Sequence, residues 1–264
     1  ARVEDLERWG EDPEGYTVDV SRSSPDADVR AAGQGLLLAL VEAEESKSLA
    51  LNLLATRMRD YDEQRSAAER EARSASETER GGIGVGKYVC DLEILKWDAI
   101  YTAAGVASSS LSGFEFVEWF GNSLGPSLTV IIQGAASSNS NNSILPVLRH
   151  RIVWLLGCWV SSLDAPSRPQ VYAALASVLS LTDAKSDAAV RLACVETIGG
   201  AFEDWDFDAA SFQGLAKPVV EAMYGLMRGL EELESLTTVL QTIGALVARM
   251  NRHLGVEAAN AVVQ

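Results

Sequence analysis

The chain has 264 residues, 47% of them hydrophobic, enough for a sizeable core and too many for a disordered chain. Its 37 acidic residues outnumber 22 basic ones, and the resulting charge of −15 repels phosphate backbones, which argues against direct nucleic-acid binding. No apolar run approaches the roughly 18 residues of a membrane span, and the acidic start ARVEDLERWG differs from signal and transit peptides.

In chain order, residues 1–25 read as an acidic segment joining a preceding repeat, and residues 26–264 as an array of helix pairs. The pairs are 27–42 with 46–72, 88–110 with 114–133, 145–161 with 168–181, and 187–203 with 208–229. A fifth pair opens at 231–252 and is cut short at Gln264. The helical period is clearest where Leu145, Leu148, Ile152, Leu155, Leu156 and Trp159 recur at spacings of three and four. Leu233, Leu236, Val239, Leu240, Ile243, Leu246, Val247 and Met250 make a second stripe, and Val190, Cys194, Ile198, Ala201 and Phe202 a third. Two polar stretches, 73–86 and 134–143, read as exposed inserts. Alternation bounded by hairpin turns is nearly absent, so the fold class is all-α.

An internal repeat sharpens this. Asp26-Ala-Asp-Val-Arg30 matches Asp187-Ala-Ala-Val-Arg191, each opening the first helix of a pair, and His150-Arg151 can be laid on the same register. Arg151 and Arg191 stand 40 residues apart, and Arg30 and Arg151 about three times that, the period of HEAT-type repeats. Asp26 and Asp187 are expected to cap their helices, and Arg30, Arg151 and Arg191 to pair with acids of neighbouring repeats. Such pairs cannot bury their apolar faces alone, so they stack into an α-solenoid of approximate repeats 26–72, 87–135, 144–182, 187–229 and 231–264. Without evident polar end caps, the chain reads as a piece of a longer solenoid.

The chemical motifs are weak. Gly81 to Lys87 nearly writes a phosphate loop, but Tyr88 replaces the hydroxyl residue that would reach a metal, and no strand precedes it. Gly121-Asn-Ser123-Leu-Gly125 writes a nucleophile elbow, which requires an α/β sheet and a downstream acid and histidine. Only His150 and His253 are present, so a serine hydrolase using Ser123 is the remote alternative and no enzyme is expected. Cys90, Cys158 and Cys194 are far apart in apolar contexts, which fits a reduced compartment and neither a disulfide framework nor a metal site. No cofactor is expected. The cluster Glu203-Asp204-Trp205-Asp206-Phe207-Asp208 interleaves acids with aromatics at an inter-helix corner. It reads either as a solvated turn with a capping Asp or as a contact for a basic partner, with Trp205 stacked on Arg or Lys.

Several blocks resemble one family. Leu6 to Tyr16, with Trp9, Asp12-Pro13-Glu14 and Tyr16, resembles the W-x-x-D-P-E-x-F/Y segment of importin-β-type nuclear transport receptors. Lys96-Trp-Asp98-Ala-Ile-Tyr101 to Gly105, Arg149 to Trp159, Tyr172, Asp187 to Arg191 and Asp204 to Phe207 follow in the family's order. His150, Cys158, Trp97 and Trp205 depart from its pattern without removing an apolar or helix-start position. The resemblance implies a central HEAT segment of a receptor that shuttles between nucleus and cytoplasm. Its implied partners are basic cargo, Phe-Gly nucleoporins and Ran-GTP, the main Ran site falling outside this region. A HEAT scaffold of another large assembly is the alternative.

Overall fold

The computed structural model describes residues 3–22, 28–78, 91–111, 116–119, 121–122, 145–181, 187–204, 206–250 and 253. Every regular element among them is helical: α1 (Val3–Glu11), α2 (Pro13–Arg22), α3 (Val29–Glu42), α4 (Glu44–Thr78), α5 (Asp91–Val106), α6 (Phe116–Trp119), α7 (Leu145–Trp159), α8 (Arg168–Leu179), α9 (Ala188–Glu203), α10 (Ala209–Met227) and α11 (Leu233–Met250). A 3₁₀ turn, Val160–Ser162, follows α7.

The helix starts have local causes. Asp28, Asp187 and Asp208 each stand in extended backbone and accept a backbone N–H from the first turn of α3, α9 and α10. Pro169 sits in the first turn of α8, where its missing N–H costs nothing. A single extended residue, Ala43, separates α3 from α4. The polar stretch from 73 to 78, expected to belong to an insert, continues α4, because its Ala, Glu and Arg neighbours are good helix formers whatever their polarity. Residues 79–86 and the insert 134–143 lie outside the described residues.

The first helices α3, α5, α7, α9 and α11 form one row, each against the next, while α4 packs on α3 and α5, and α8 on α9 and α10. That is a solenoid of stacked helix pairs, the HEAT architecture. The row is tightest where it is most central. Helix α9 buries Ala189 to Val195 without a break, then Thr197, Ile198, Ala201 and Phe202. Leu155, Leu156, Val171, Tyr172, Phe212, Val219 and Leu246 close the same core. Helices α5 and α7 meet across Gly105, where a Cβ would fall 2.4 Å from the Trp154 ring; Gly157 faces Thr197, and Gly199 faces Thr242, in the same way. Trp154 is thus half-buried between adjacent first helices.

Within the acidic segment 1–25, expected to join a preceding repeat, the described helices α1 and α2 pack against the row. Helix α1 packs on α5, and α2 on α9 and α11. Pro13 is the first residue of α2, where proline is tolerated.

Candidate protein-binding surface

The short segment around Trp9-Gly-Glu-Asp-Pro-Glu-Gly-Tyr16 organises the ends of the helix row. Asp12 accepts the Gly15 N–H at 2.9 Å, turning α1 into α2 and aiming Trp9, Glu14 and Tyr16 inward. The Trp9 indole N–H donates to Asp187 at 2.8 Å, and its ring stands edge-on to His150, with centroids 5.0 Å apart. The Tyr16 hydroxyl accepts from Arg30 at 2.7 Å. Glu14 accepts the backbone N–H groups of Glu231 and Glu232, both at 3.1 Å, just ahead of α11. Burial pushes the His150 imidazole down to about 3, so it is neutral at neutral pH. Burial raises Asp187 above the usual carboxylate range, opposed by the Trp9 hydrogen bond.

The three arginines of the repeat register find three kinds of partner. Arg151 donates to Asp98 of α5 at 2.7 Å, an ion pair between neighbouring first helices, with side chains only 12% and 2% exposed. Its guanidinium also lies over the Trp154 ring, 4.8 Å from the centroid. Burial alone would raise Asp98, but the positive charge beside it, foremost that of Arg151, holds it at about 2. Arg191 meets no acid in these contacts: it donates to the carbonyls of Leu179 and Ala222, tying α8 and α10 to α9. Arg30 pairs with its own helix cap, Asp28, rather than with a neighbouring repeat. Asp28 therefore holds the capping place read for Asp26, which lies outside the described residues. The register is displaced because α3 begins two residues later than the match with Asp187 implies.

At the corner between α9 and α10 the acids divide. Glu203 and Asp206 face solvent, although the Asp206 carboxylate also lies 3.9 Å from Arg168. Asp208 is exposed as the cap of α10, accepting from Ala210 and Ser211; chiefly the Ser211 bond holds its carboxyl below the usual range. Asp204 is different. Its carboxylate accepts the Asp206 N–H and lies 3.6 Å from buried Arg168, which also donates to the Leu163 and Asp206 carbonyls. Arg249 of α11 reaches the carbonyls of Phe202 and Asp204. Phe207 turns inward and meets Phe202, Phe212 and Tyr172 with ring centroids 5.0, 5.8 and 6.1 Å away. Phe207 is thus partly buried against the core, and Trp205, the aromatic expected to stack on a basic partner, lies outside the described residues. Arg168 and Arg249, which hold the corner, carry no local signal in the sequence.

A second acidic surface lies at the end of α1–α2, an open notch of about 260 Å³ between Arg8, Glu11, Asp12, Asp19 and Glu232, floored by Tyr16. Ser123, the Gly81 to Lys87 loop and Cys90 lie outside the described residues. Burial raises the thiols of Cys158, to about 11, and Cys194, so both are protonated and poor nucleophiles. Among the described residues, no three His, Cys, Asp or Glu side chains are grouped to hold a metal ion, and no helix is long and apolar enough to cross a membrane.

No family model matches the chain. It is similar to human importin-11, 26% identical over 254 residues that make up 95% of this chain and 22% of the relative. Importin beta-like protein kap113 of Schizosaccharomyces pombe is 25% identical over 164 residues, 61% of this chain and 16% of that protein. Lph2 of S. cerevisiae, described as a novel bidirectional nuclear transport receptor, shares the fold with a TM-score of 0.74, at 17% identity, over 99% of this chain and 23% of its own. The chain therefore spans about a fifth of the length of the relatives it matches. Importin-11 and its fungal counterpart are also the subgroup that the ordered blocks resemble most. The chain is thus similar, almost along its whole length, to importins, and it shares the stacked-helix fold of a nuclear transport receptor.

Proposed function

We propose that this chain is a protein-binding scaffold within a nuclear transport receptor, carrying cargo through the nuclear pore with Ran-dependent exchange and shuttling between nucleus and cytoplasm. The observation that supports it most is the likeness to importin-11 along 95% of the chain. The role is one of binding rather than catalysis. Its partners are a cargo with a basic surface and Phe-Gly nucleoporins, with Ran-GTP held mainly elsewhere in the receptor. Exposed Glu203, Asp206 and Asp208 are the contact candidates for the basic partner; Asp204, held by Arg168, is excluded from that set, and Trp205 stays a candidate from its place in the sequence.

Affinity capture with the whole receptor that carries this chain, with and without Ran loaded with a non-hydrolysable GTP analogue, tests the reading. Partners released or recruited by Ran-GTP, together with retention on Phe-Gly repeats, are the expected result. A partner set indifferent to Ran and no retention on Phe-Gly repeats would make the chain a scaffold of another assembly. The corner is tested separately, by titrating a Lys- and Arg-rich peptide against Glu203→Gln with Asp206→Asn. Affinity should fall and its salt dependence flatten, because long-range attraction is screened over about 8 Å at physiological ionic strength.

A further inference from the structure

In a repeat array each unit touches only its neighbours, so curvature is the sum of small rotations and is soft over several repeats. Helices α1 and α2 depart from that pattern. Tyr16 holds Arg30 at the start of α3, Trp9 meets His150 of α7 and Asp187 ahead of α9, and Glu14 holds the entrance to α11. One hairpin thus touches both ends of the described helix row and, with the packing of α1 on α5, the three first helices between. We propose that α1–α2 is a strap that fixes the curvature of the array, and that releasing Glu14 and Trp9 lets the row of helices relax.

The anchors make this more than surface packing. A helix entrance usually gets its acceptor from a residue or two away. For α11 the carboxylate comes from 217 residues upstream. Glu14 is only 7% exposed, so moving the strap away from α11 strands two backbone N–H groups on one side and a buried carboxylate on the other. Trp9 is 3% exposed, and the same movement would leave its indole N–H without the Asp187 acceptor. Neither end yields alone. The strap is therefore a two-state element: seated, it sets one spacing between α3 and α11; unseated, only nearest-neighbour packing remains. The inference holds whatever the array binds.

The test is small-angle scattering with amide exchange on the full chain, comparing it with Glu14→Gln, Trp9→Phe and the double variant. Glu14→Gln keeps the shape and replaces one of the two acceptor oxygens by a donor, and Trp9→Phe keeps an aromatic ring and removes the indole N–H. The double variant should show a larger maximum dimension at unchanged helical circular dichroism, and exchange at Glu231 and Glu232 should quicken about tenfold or more. An unaltered scattering curve and unaltered exchange would overturn the proposal. Should the double variant not fold, the unmodified chain decides. In sub-denaturing urea, the amides of α1–α2 and those of Glu231 and Glu232 should open together, below the global transition; separate opening would overturn the strap.

Discussion

Helices α3 and α9 hold the same place in their repeats: each opens a pair, each is capped by an Asp, and each carries an Arg in its first turns. Their fates differ. Helix α9 is covered by α7, α8, α11 and α2 and buries side chains on nearly every face. Helix α3 meets α4 and α5, buries Val41, and leaves Val29, Leu36, Leu38 and Leu40 exposed, as are Leu49 and Leu53 of α4. Both sequences are rich in Ala, Leu and Val. What separates them, among the described residues, is the number of neighbouring helices, since in a stacked array burial is conferred by the adjoining repeats rather than by a helix's own pattern.

The contrast is broken most directly by truncation. Phe202 of α9 is 1% exposed within the aromatic cluster, and Phe202→Ala should cost about 4 kcal/mol in urea denaturation. Leu36→Ala on α3, where the side chain is 62% exposed, should stay within about 0.5 kcal/mol. Equal losses would show that α3 is covered and the contrast unreal.

The arginines give the next largest effect. Arg151→Met takes from buried Asp98 the guanidinium that pairs with it and should cost about 3 kcal/mol. A variant that also carries Asp98→Asn should recover part of that. Arg30→Met removes a more open pair within α3, 19% and 18% exposed, and should cost under about 1 kcal/mol. A double-mutant cycle for each pair measures the difference.

Acid should act on the central row through the same carboxylate. Asp98 is held at about 2 in the folded chain, below its ordinary value of 3.8. A depressed folded value means that the unfolded chain binds the proton first. The stability from this group is therefore present above about pH 4 and is lost as pH falls towards 2. Denaturation midpoints measured between pH 6 and pH 2.5 should show this loss, and Arg151→Met should flatten it. An identical slope in that variant would mean that another group governs the acid limb.

Much of the helix row is legible in the residues, because apolar spacing and Asp caps are local. Leu145 to Trp159 and Asp187 to Phe202 mark α7 and α9 to within a residue or two. What is not legible depends on distant partners. The acids at Asp204 and Asp206 are visible, but Arg168, 38 residues from the Asp206 carbonyl it holds, and Arg249, 45 residues from that of Asp204, turn the corner inward. Glu14 sits in a recognisable Asp-Pro-Glu run, yet nothing near it points to α11. The register Asp26–Arg30 misplaces the cap because two aspartates, 26 and 28, both suit the position by type, and only the geometry of the first turn selects Asp28.

The smallest expected effects carry the sharpest form of the comparison, because they change sign. In α5, a Cβ on Gly105 would lie 2.4 and 2.6 Å from Trp154 ring carbons and 3.2 Å from the Cys158 sulfur. Gly105→Ala must push α5 away from α7 or turn Trp154, at about 1–2 kcal/mol. Combining it with Trp154→Leu should remove most of the penalty relative to Trp154→Leu alone, since the clash is with the indole. In α3, Gly35 has open space where its Cβ would go. There an alanine meets nothing, lowers the entropy of the unfolded chain and favours the helix, so Gly35→Ala should stabilise by about 0.4–1 kcal/mol. Thermal denaturation of the two single variants reads both signs. A loss at Gly35 comparable to that at Gly105 would mean a second surface already lies on α3, and its exposed leucines would then mark an occupied interface.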